Sequence, residues 1–162
     1  MSAIAAYGLR VDLPRAWEGR IFRRARPPRT ADHPAAYGHP EGSVNPVLHL
    51  GNFALPPGRG DFGTGAVERM GVAQVFLSLV EFDREEADRP LFATRGVPRP
   101  EVADFGPRSL QRHIPGQLGC QRFFTENSRA FCLYVVLGSR RHAEALVAQT
   151  DTVLAGLEVA AP

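Results

Sequence analysis

Apolar residues alternate with polar ones along YGLRVDL (7–13), and this period of two predicts a half-buried strand. WEGRIFRR (17–24) predicts a second strand that forms a hairpin with the first, and VLHLGNFAL (47–55) predicts a third. VAQVFLSLVEF (72–82) is apolar at both sets of alternate positions. A strand with two apolar faces is covered on both, so this segment is predicted to be central in its sheet.

The second half of the chain predicts a hairpin followed by a helix. Two apolar runs, 119–125 and 129–138, flank a two-residue turn at Asn127-Ser128. Apolar residues then recur at helical spacing over 140–158, with Ser139 as the N-cap. Short helices are predicted after the glycine-rich stretch and around 107–113. The proline-rich segment 25–46 is predicted to be a long loop.

Strands therefore dominate and pair mainly antiparallel, which predicts an α+β fold with a sheet of about six strands flanked by helices. The order of elements over 7–158 resembles the PsbP/Mog-type fold. The residues that carry this resemblance are Leu13-Pro14 followed by Trp17, Glu81-Phe82 at the end of the central strand, the Phe123-Phe124 to Leu133-Tyr134 hairpin, and the closing helix that ends in Val153-Leu154-Ala155-Gly156-Leu157. The resemblance implies an αβα sandwich, an actinobacterial origin and a role in binding rather than catalysis, with no functional residue set to transfer.

The composition fits one domain over residues 1–162. With 44% hydrophobic residues the chain can bury a sizeable core. All nineteen basic residues are arginines, so a Schiff-base lysine and a P-loop lysine are both excluded. The net charge is only +2, but residues 1–30 hold seven arginines against two acids. The basic charge is thus concentrated near the amino terminus.

That basic segment predicts a protein-binding site, because Trp and Arg often anchor interfaces and long loops often carry function. The predicted partner-binding residues are Trp17, Arg20, Arg23, Arg24, Arg26 and Arg29. An acidic protein is the favoured partner, and a second copy of the chain is an alternative because 81–104 is acidic. Nucleic acid is disfavoured, since aromatic residues are too few here for a base-stacking platform.

GRGDFGTG (58–65) contains the G-x-G-x-x-G spacing of dinucleotide-binding loops, and Asp83 follows where a ribose-binding acid would stand. The following helix has room for few residues, Pro56-Pro57 interrupts the preceding strand, and Asp61 would place a negative charge among the phosphates. The pattern therefore favours a structural turn that caps a short helix. A nucleotide-binding domain that uses this loop is the alternative function, and no cofactor is predicted.

The remaining chemistry-bearing residues give no site. His33 and His39 lie near Glu41, but a metal needs three or four converging ligands. The hairpin register pairs Cys132 with Phe123 on the side away from Cys120, which excludes a disulfide between the two cysteines. Two cysteines fit a reducing compartment, and no segment is apolar enough to span a membrane. We therefore expect a cytoplasmic, non-enzymatic binding, adaptor or chaperone-like protein.

Overall fold

The computed structural model describes residues 1–23 and 45–162. In these residues, eight β-strands form two antiparallel sheets beside one α-helix. The strands are β1 (Ser2–Ala6), β2 (Leu9–Leu13), β3 (Glu18–Arg23), β4 (Pro46–Gly51), β5 (Val75–Glu81), β6 (Leu118–Glu126), β7 (Arg129–Leu137) and β8 (Leu157–Val159), and the helix is α1 (Ala143–Ala155). The predicted loop 25–46 lies almost wholly outside the described residues.

The predicted fold class, one sheet of about six strands flanked by helices, is wrong. The strands instead form a three-stranded sheet in the order β1-β2-β8 and a five-stranded sheet in the order β3-β4-β5-β7-β6. The helices predicted after the glycine-rich stretch and around 107–113 are single 3-10 turns at Val67–Arg69 and Pro107–Ser109. Both turns end after three residues, because the backbone of Met70 and that of Leu110 is extended, with ψ values of 135° and 134°.

The three-stranded sheet is the main feature that the pattern does not predict. Tyr7 and Gly8 have positive φ values of 53° and 74°, so they form a turn rather than the start of a strand. β1 therefore folds back on β2, with Ser2 opposite Leu13. Alanine fills three of the five positions of β1, so no alternation marks it as a strand. β8 pairs with the other side of β2 after α1 ends at Ala155.

The predicted hairpin between 7–13 and 17–24 is also wrong. A tight turn follows β2, in which Trp17 N donates to Pro14 O at 3.1 Å and Ala16 has a φ of 68°. This turn leads the chain into the other sheet. There β3 pairs with β4, from Glu18 opposite Gly51 to Arg23 opposite Pro46.

The five-stranded sheet confirms two predictions about its middle. β5 is the central strand, between β4 and β7, and its residues are buried up to Val80. β6 and β7 form the predicted hairpin, and Asn127 and Ser128 have φ values of 49° and 61°. Both positive values are typical of the turn that suits a two-residue hairpin loop. The register also places Cys132 opposite Phe123, as predicted.

One hydrophobic core lies between the two sheets and α1. The helix contributes Leu146, Val153 and Leu154, which are buried as predicted, while Val147 is only half-buried. On its other face, the five-stranded sheet is covered by the segments 52–74 and 105–117, whose side chains pack on Phe76, Tyr134 and Val136. Within the described residues, no helix is long and apolar enough to cross a membrane.

Candidate functional site

The structure places three of the six predicted partner-binding residues. Trp17 is only 8% exposed and packs in the core between the sheets, so it adds little to any surface. Arg20 and Arg23 lie on β3 and are both exposed. The other three, Arg24, Arg26 and Arg29, lie outside the described residues. Whether these six residues bind a partner stays a prediction.

The exposed arginines of β3 form no ion pair with a described acid. Among the described residues, neither Arg20 nor Arg23 has a carboxylate within ion-pair distance. The charge of Arg20 also acts on the Arg59 guanidinium: burial, followed by the charge of Arg20, lowers the pKa of Arg59. The charge of Glu18 opposes that shift. We call the outer side of β3, with Arg20 and Arg23, the basic edge.

Sequence reasoning missed Arg59 as part of this surface. In the sequence, Arg59 is one residue of the glycine-rich stretch GRGDFGTG (58–65). Its place beside β3 depends on how the loop folds back on the sheet. No local pattern signals that contact.

In the acidic segment 81–104, the predicted contact for a second copy, arginines of the same molecule pair with four of the seven acids. Five of its seven acids contact a side chain of the same molecule. These contacts are Glu81–Arg129, Asp83–Asn45, Glu86–Arg89, Asp88–Arg95 and Asp104–Arg122. The described structure therefore offers little free acidic surface for the basic edge of another copy.

A row of polar side chains crosses the five-stranded sheet at one level. Arg20, His49, Ser78, Tyr134 and Gln121 stand directly opposite one another on successive strands, so they share one face. The three in the middle are almost completely buried, at 0%, 0% and 2% exposure. Buried polar groups need hydrogen-bond partners, and here the covering segments supply them.

The glycine-rich loop is fastened to this row by the carbonyl oxygen of Asp61. His49 Nε2 lies 2.9 Å from that oxygen, and the Ser78 hydroxyl also donates to it. Arg59 Nε donates to His49 Nδ1 at 3.0 Å, so the ring hydrogen of His49 lies on Nε2. Ser78 therefore donates to the loop and not to His49. The two side chains anchor the loop and do not form a nucleophile–base pair.

The main-chain amides of the loop are largely used inside the loop. Gly60 N donates to Thr64 O at 2.9 Å, Gly63 N to Gly60 O at 2.9 Å, and Gly65 N to the Glu68 carboxylate at 2.7 Å. A phosphate-binding loop instead directs its amides at the ligand. This geometry supports the predicted structural turn. Nucleotide binding has no such support, although it stays a prediction that titration can test.

A cleft of about 290 Å³ lies where the β1–β2 turn meets the ends of β3, β4 and β5. The Arg129 guanidinium lies at its base and donates from all three nitrogens, to both oxygens of Glu81 and to the carbonyls of Tyr7, Gly8 and Ala160. All five of its N–H groups are thereby used, so Arg129 cannot also hold a ligand. At the rim, the Arg23 guanidinium lies 4.3 Å from the centre of the Tyr7 ring.

The two cysteines are free, buried thiols. Burial raises the pKa of Cys120 and that of Cys132 to about 11 each. The Gln121 amide donates to Cys132 Sγ at 3.4 Å, which only partly offsets that burial. Because the thiolate is the nucleophilic form, neither side chain is activated at neutral pH.

No metal site is visible in residues 1–23 and 45–162, since no three His, Cys, Asp or Glu side chains converge there. His142 precedes α1, where its Nδ1 lies 2.9 Å from Ser139 Oγ. Ser139 accepts from the His142 amide but is not the N-cap itself, because α1 begins at Ala143. The predicted histidine pair, His33 and His39, lies outside the described residues.

Comparison with known proteins identifies no relative of this chain. The chain matches no protein-family model, and neither a curated protein nor a solved structure matches it. No match therefore supports the resemblance to the PsbP/Mog-type fold. The two antiparallel sheets also differ from the single sheet between helices that this resemblance implies.

Proposed function

We propose that this chain is a non-enzymatic binding protein that contacts an acidic protein partner through its basic edge. The observation that carries the proposal is that Arg20 and Arg23 are exposed on an outermost strand and that no described carboxylate pairs with them. Seven other arginines of the described structure do pair with acids, in contacts such as Arg122–Asp104 and Arg95–Asp88. Arg20 and Arg23 are thus available to an acid from outside.

Two further observations favour binding over catalysis. The buried polar row holds the glycine-rich loop and offers no pair of groups arranged for proton transfer. The buried thiols are protonated at neutral pH. We also propose a cytoplasmic location, because free buried thiols suit a reducing compartment.

The arginines that follow β3 in the sequence would extend this charge. Arg24, Arg26 and Arg29 are included in the proposed surface on their sequence position alone. An interface of this kind is steered by charge, so its association should slow and its yield should fall as salt rises.

The experiment is capture from a lysate of the native host by the immobilised protein, followed by mass spectrometry. The double variant Arg20→Glu, Arg23→Glu should lose the partners that the unmodified protein retains, and its melting temperature should not change. The matched control is Arg140→Glu, Arg141→Glu, which reverses two exposed arginines at the opposite end of the sheet and should retain every partner. Equal recovery by both double variants would place the interface elsewhere.

A further inference from the structure

The two outermost strands of the five-stranded sheet, β6 and β3, differ in the main-chain hydrogen bonds on their outer sides. β6 is closed by the main chain, because Gly106 and Gly119 exchange two hydrogen bonds of 2.9 Å. Thr125 is bonded in the same way, donating to Thr94 O at 2.8 Å and accepting from Gly96 N at 3.0 Å. β3 has one partner strand only, and no other described segment bonds along its outer side. Within residues 1–23 and 45–162, β6 is therefore hydrogen-bonded at both ends of its outer side, whereas β3 has no main-chain bond on its outer side.

The groups on the outer side of β3 can be assigned. In an antiparallel ladder, successive residues turn their N–H and C=O alternately toward and away from the partner strand. Arg20 Nη1 donates to Gly19 O at 2.9 Å, which places that carbonyl on the outer side. Gly19, Ile21 and Arg23 therefore direct their main-chain groups away from β4. Among the described residues, none of the three has a main-chain partner on that side.

We infer that an extended segment of the partner protein adds to β3 as a sixth strand, with the side-chain pattern acidic–apolar–apolar–acidic. This inference rests on the proposed function and names its mode of recognition. Strand addition supplies affinity through main-chain hydrogen bonds and specificity through alternate side chains. The main-chain groups on the outer side of β3 provide the hydrogen bonds, and Arg20 and Arg23 provide the specificity.

The pattern follows from the faces of β3. Arg20 lies on the face of His49, as does Phe22, whose ring centre is 5.1 Å from that of His49. Ile21 lies on the opposite face against the core, and Arg23 follows it there. Residues directly opposite on neighbouring strands share a face, so acids should stand opposite the arginines and apolar residues opposite Ile21 and Phe22. The pattern reads the same in both chain directions.

The occupant is a different protein and not a second copy of this one. If two β3 strands paired edge to edge, Arg20 could stand opposite Glu18 of the other copy, but that carboxylate already accepts from Leu55 N. Arg23 would have no acid opposite it in that register, so a second copy cannot satisfy both arginines. Charge on an outer strand also protects against self-association, so the arginines select an acidic segment and reject the chain itself.

The test uses two labelled peptides of equal composition, measured by fluorescence anisotropy on the whole protein. Ser-Glu-Val-Val-Glu-Ser should bind at least about tenfold more tightly than Ser-Val-Glu-Glu-Val-Ser, because only the first places acids opposite both arginines. N-methylation of one valine amide in the first peptide should abolish binding, while N-methylation of the other should not. In a strand, only alternate amides point toward the neighbour.

A variant of the protein tests whether the main-chain groups of β3 bind the peptide. Ile21→Pro removes an outward N–H and keeps the β3–β4 ladder, a change that outer strands tolerate. Ile21→Pro should weaken the binding of the first peptide at least about tenfold. The double variant Arg20→Glu, Arg23→Glu should weaken it to the same extent. If Ile21→Pro does not fold, the two N-methylated peptides still test whether the peptide binds as an added strand.

The outcomes separate the two proposals. Equal affinity of the two peptides and equal effects of the two N-methyl groups, with loss in the charge-reversed protein, would overturn strand addition and leave the acidic partner in place. Binding that survives charge reversal would overturn the proposed function. Growth of the protein's own mass in analytical ultracentrifugation, without peptide, would show that a second copy occupies the edge and would also overturn the inference.

Discussion

Arg129 and Glu81 form a two-pronged ion pair between the neighbouring strands β7 and β5, with N–O distances of 2.8 and 2.7 Å. Their side chains are only 7% and 12% exposed. The same guanidinium holds three main-chain carbonyls, from the β1–β2 turn and from Ala160 after β8. One side chain therefore joins the two sheets at one end of the molecule.

Arg129→Met should lower the free energy of unfolding by about 3–5 kcal/mol, because it leaves a buried carboxylate without its partner. Urea denaturation measures the loss. The control is Arg99→Met, which breaks an exposed pair with Asp151 (45% and 51% exposed) and should cost about 0–1 kcal/mol. Similar losses in the two variants would contradict a joining role for Arg129.

Gly63→Ala should destabilise the protein by about 1–3 kcal/mol. Gly63 has a φ of 88°, and a Cβ there would lie 2.5 Å from the Phe76 ring. Gly58→Ala is the matched control in the same loop, since a Cβ at Gly58 meets no atom within 4 Å. Thermal denaturation of the two variants compares them, and equal melting temperatures would show that the loop does not pack on the sheet as described.

Titration with NAD, FAD, ATP and GTP should give no micromolar binding, because the loop amides of Gly60, Gly63 and Gly65 already have acceptors. Isothermal calorimetry makes the measurement. Micromolar affinity that is lost in Gly63→Ala but kept in Gly58→Ala would establish the nucleotide-binding alternative.

Leu154→Ala should cost about 2–5 kcal/mol, the range for large-to-small changes in a core. Leu154 is 2% exposed and lies between α1 and the sheets. Leu91→Ala removes the same atoms from a side chain that is 60% exposed, and it should change stability by less than about 0.5 kcal/mol. A loss below that limit in Leu154→Ala would mean that the helix does not pack through this face.

Stability should fall as pH rises from about 9 to about 11, because the folded protein raises the pKa of Cys120 and Cys132 to about 11 from a usual value of 9.0. In that window the unfolded chain loses its thiol protons first, which stabilises the unfolded state, and below it the contribution is fully present. Denaturation across this range, with Cys120→Ala, Cys132→Ala as the comparison, measures the effect. An identical slope in both proteins would show that the thiols do not titrate differently on folding.

Strong local patterns predicted the middle of the five-stranded sheet. β5 is apolar on both faces, which predicts its central position in the sheet. The two-residue Asn-Ser turn predicts that β6 pairs with β7 in a hairpin. The register of Cys132 with Phe123 followed directly. These features depend on neighbours in sequence.

What the pattern could not predict depends on distant contacts. β8 has three residues and reads as the end of the preceding helix, yet it pairs with β2 nearly 150 positions earlier. β1 is mostly alanine and becomes a strand only because the Tyr7-Gly8 turn returns it to β2. The candidate site shows the same limit. Local charge, residue type and the neighbouring long loop predict Arg20 and Arg23, but their place on an outermost strand depends on which strands pair.

Because β2 is completed by β8, the fold has a timing requirement during synthesis. β2 is made nearly 150 residues before its second neighbour, Leu157–Val159. Until then one side of β2 is an unpaired strand edge, a surface that invites aggregation in a nascent chain. Native structure at the amino terminus must therefore form late, and a ribosome stalled before residue 157 should carry a chain whose first strands are still accessible to proteases and chaperones.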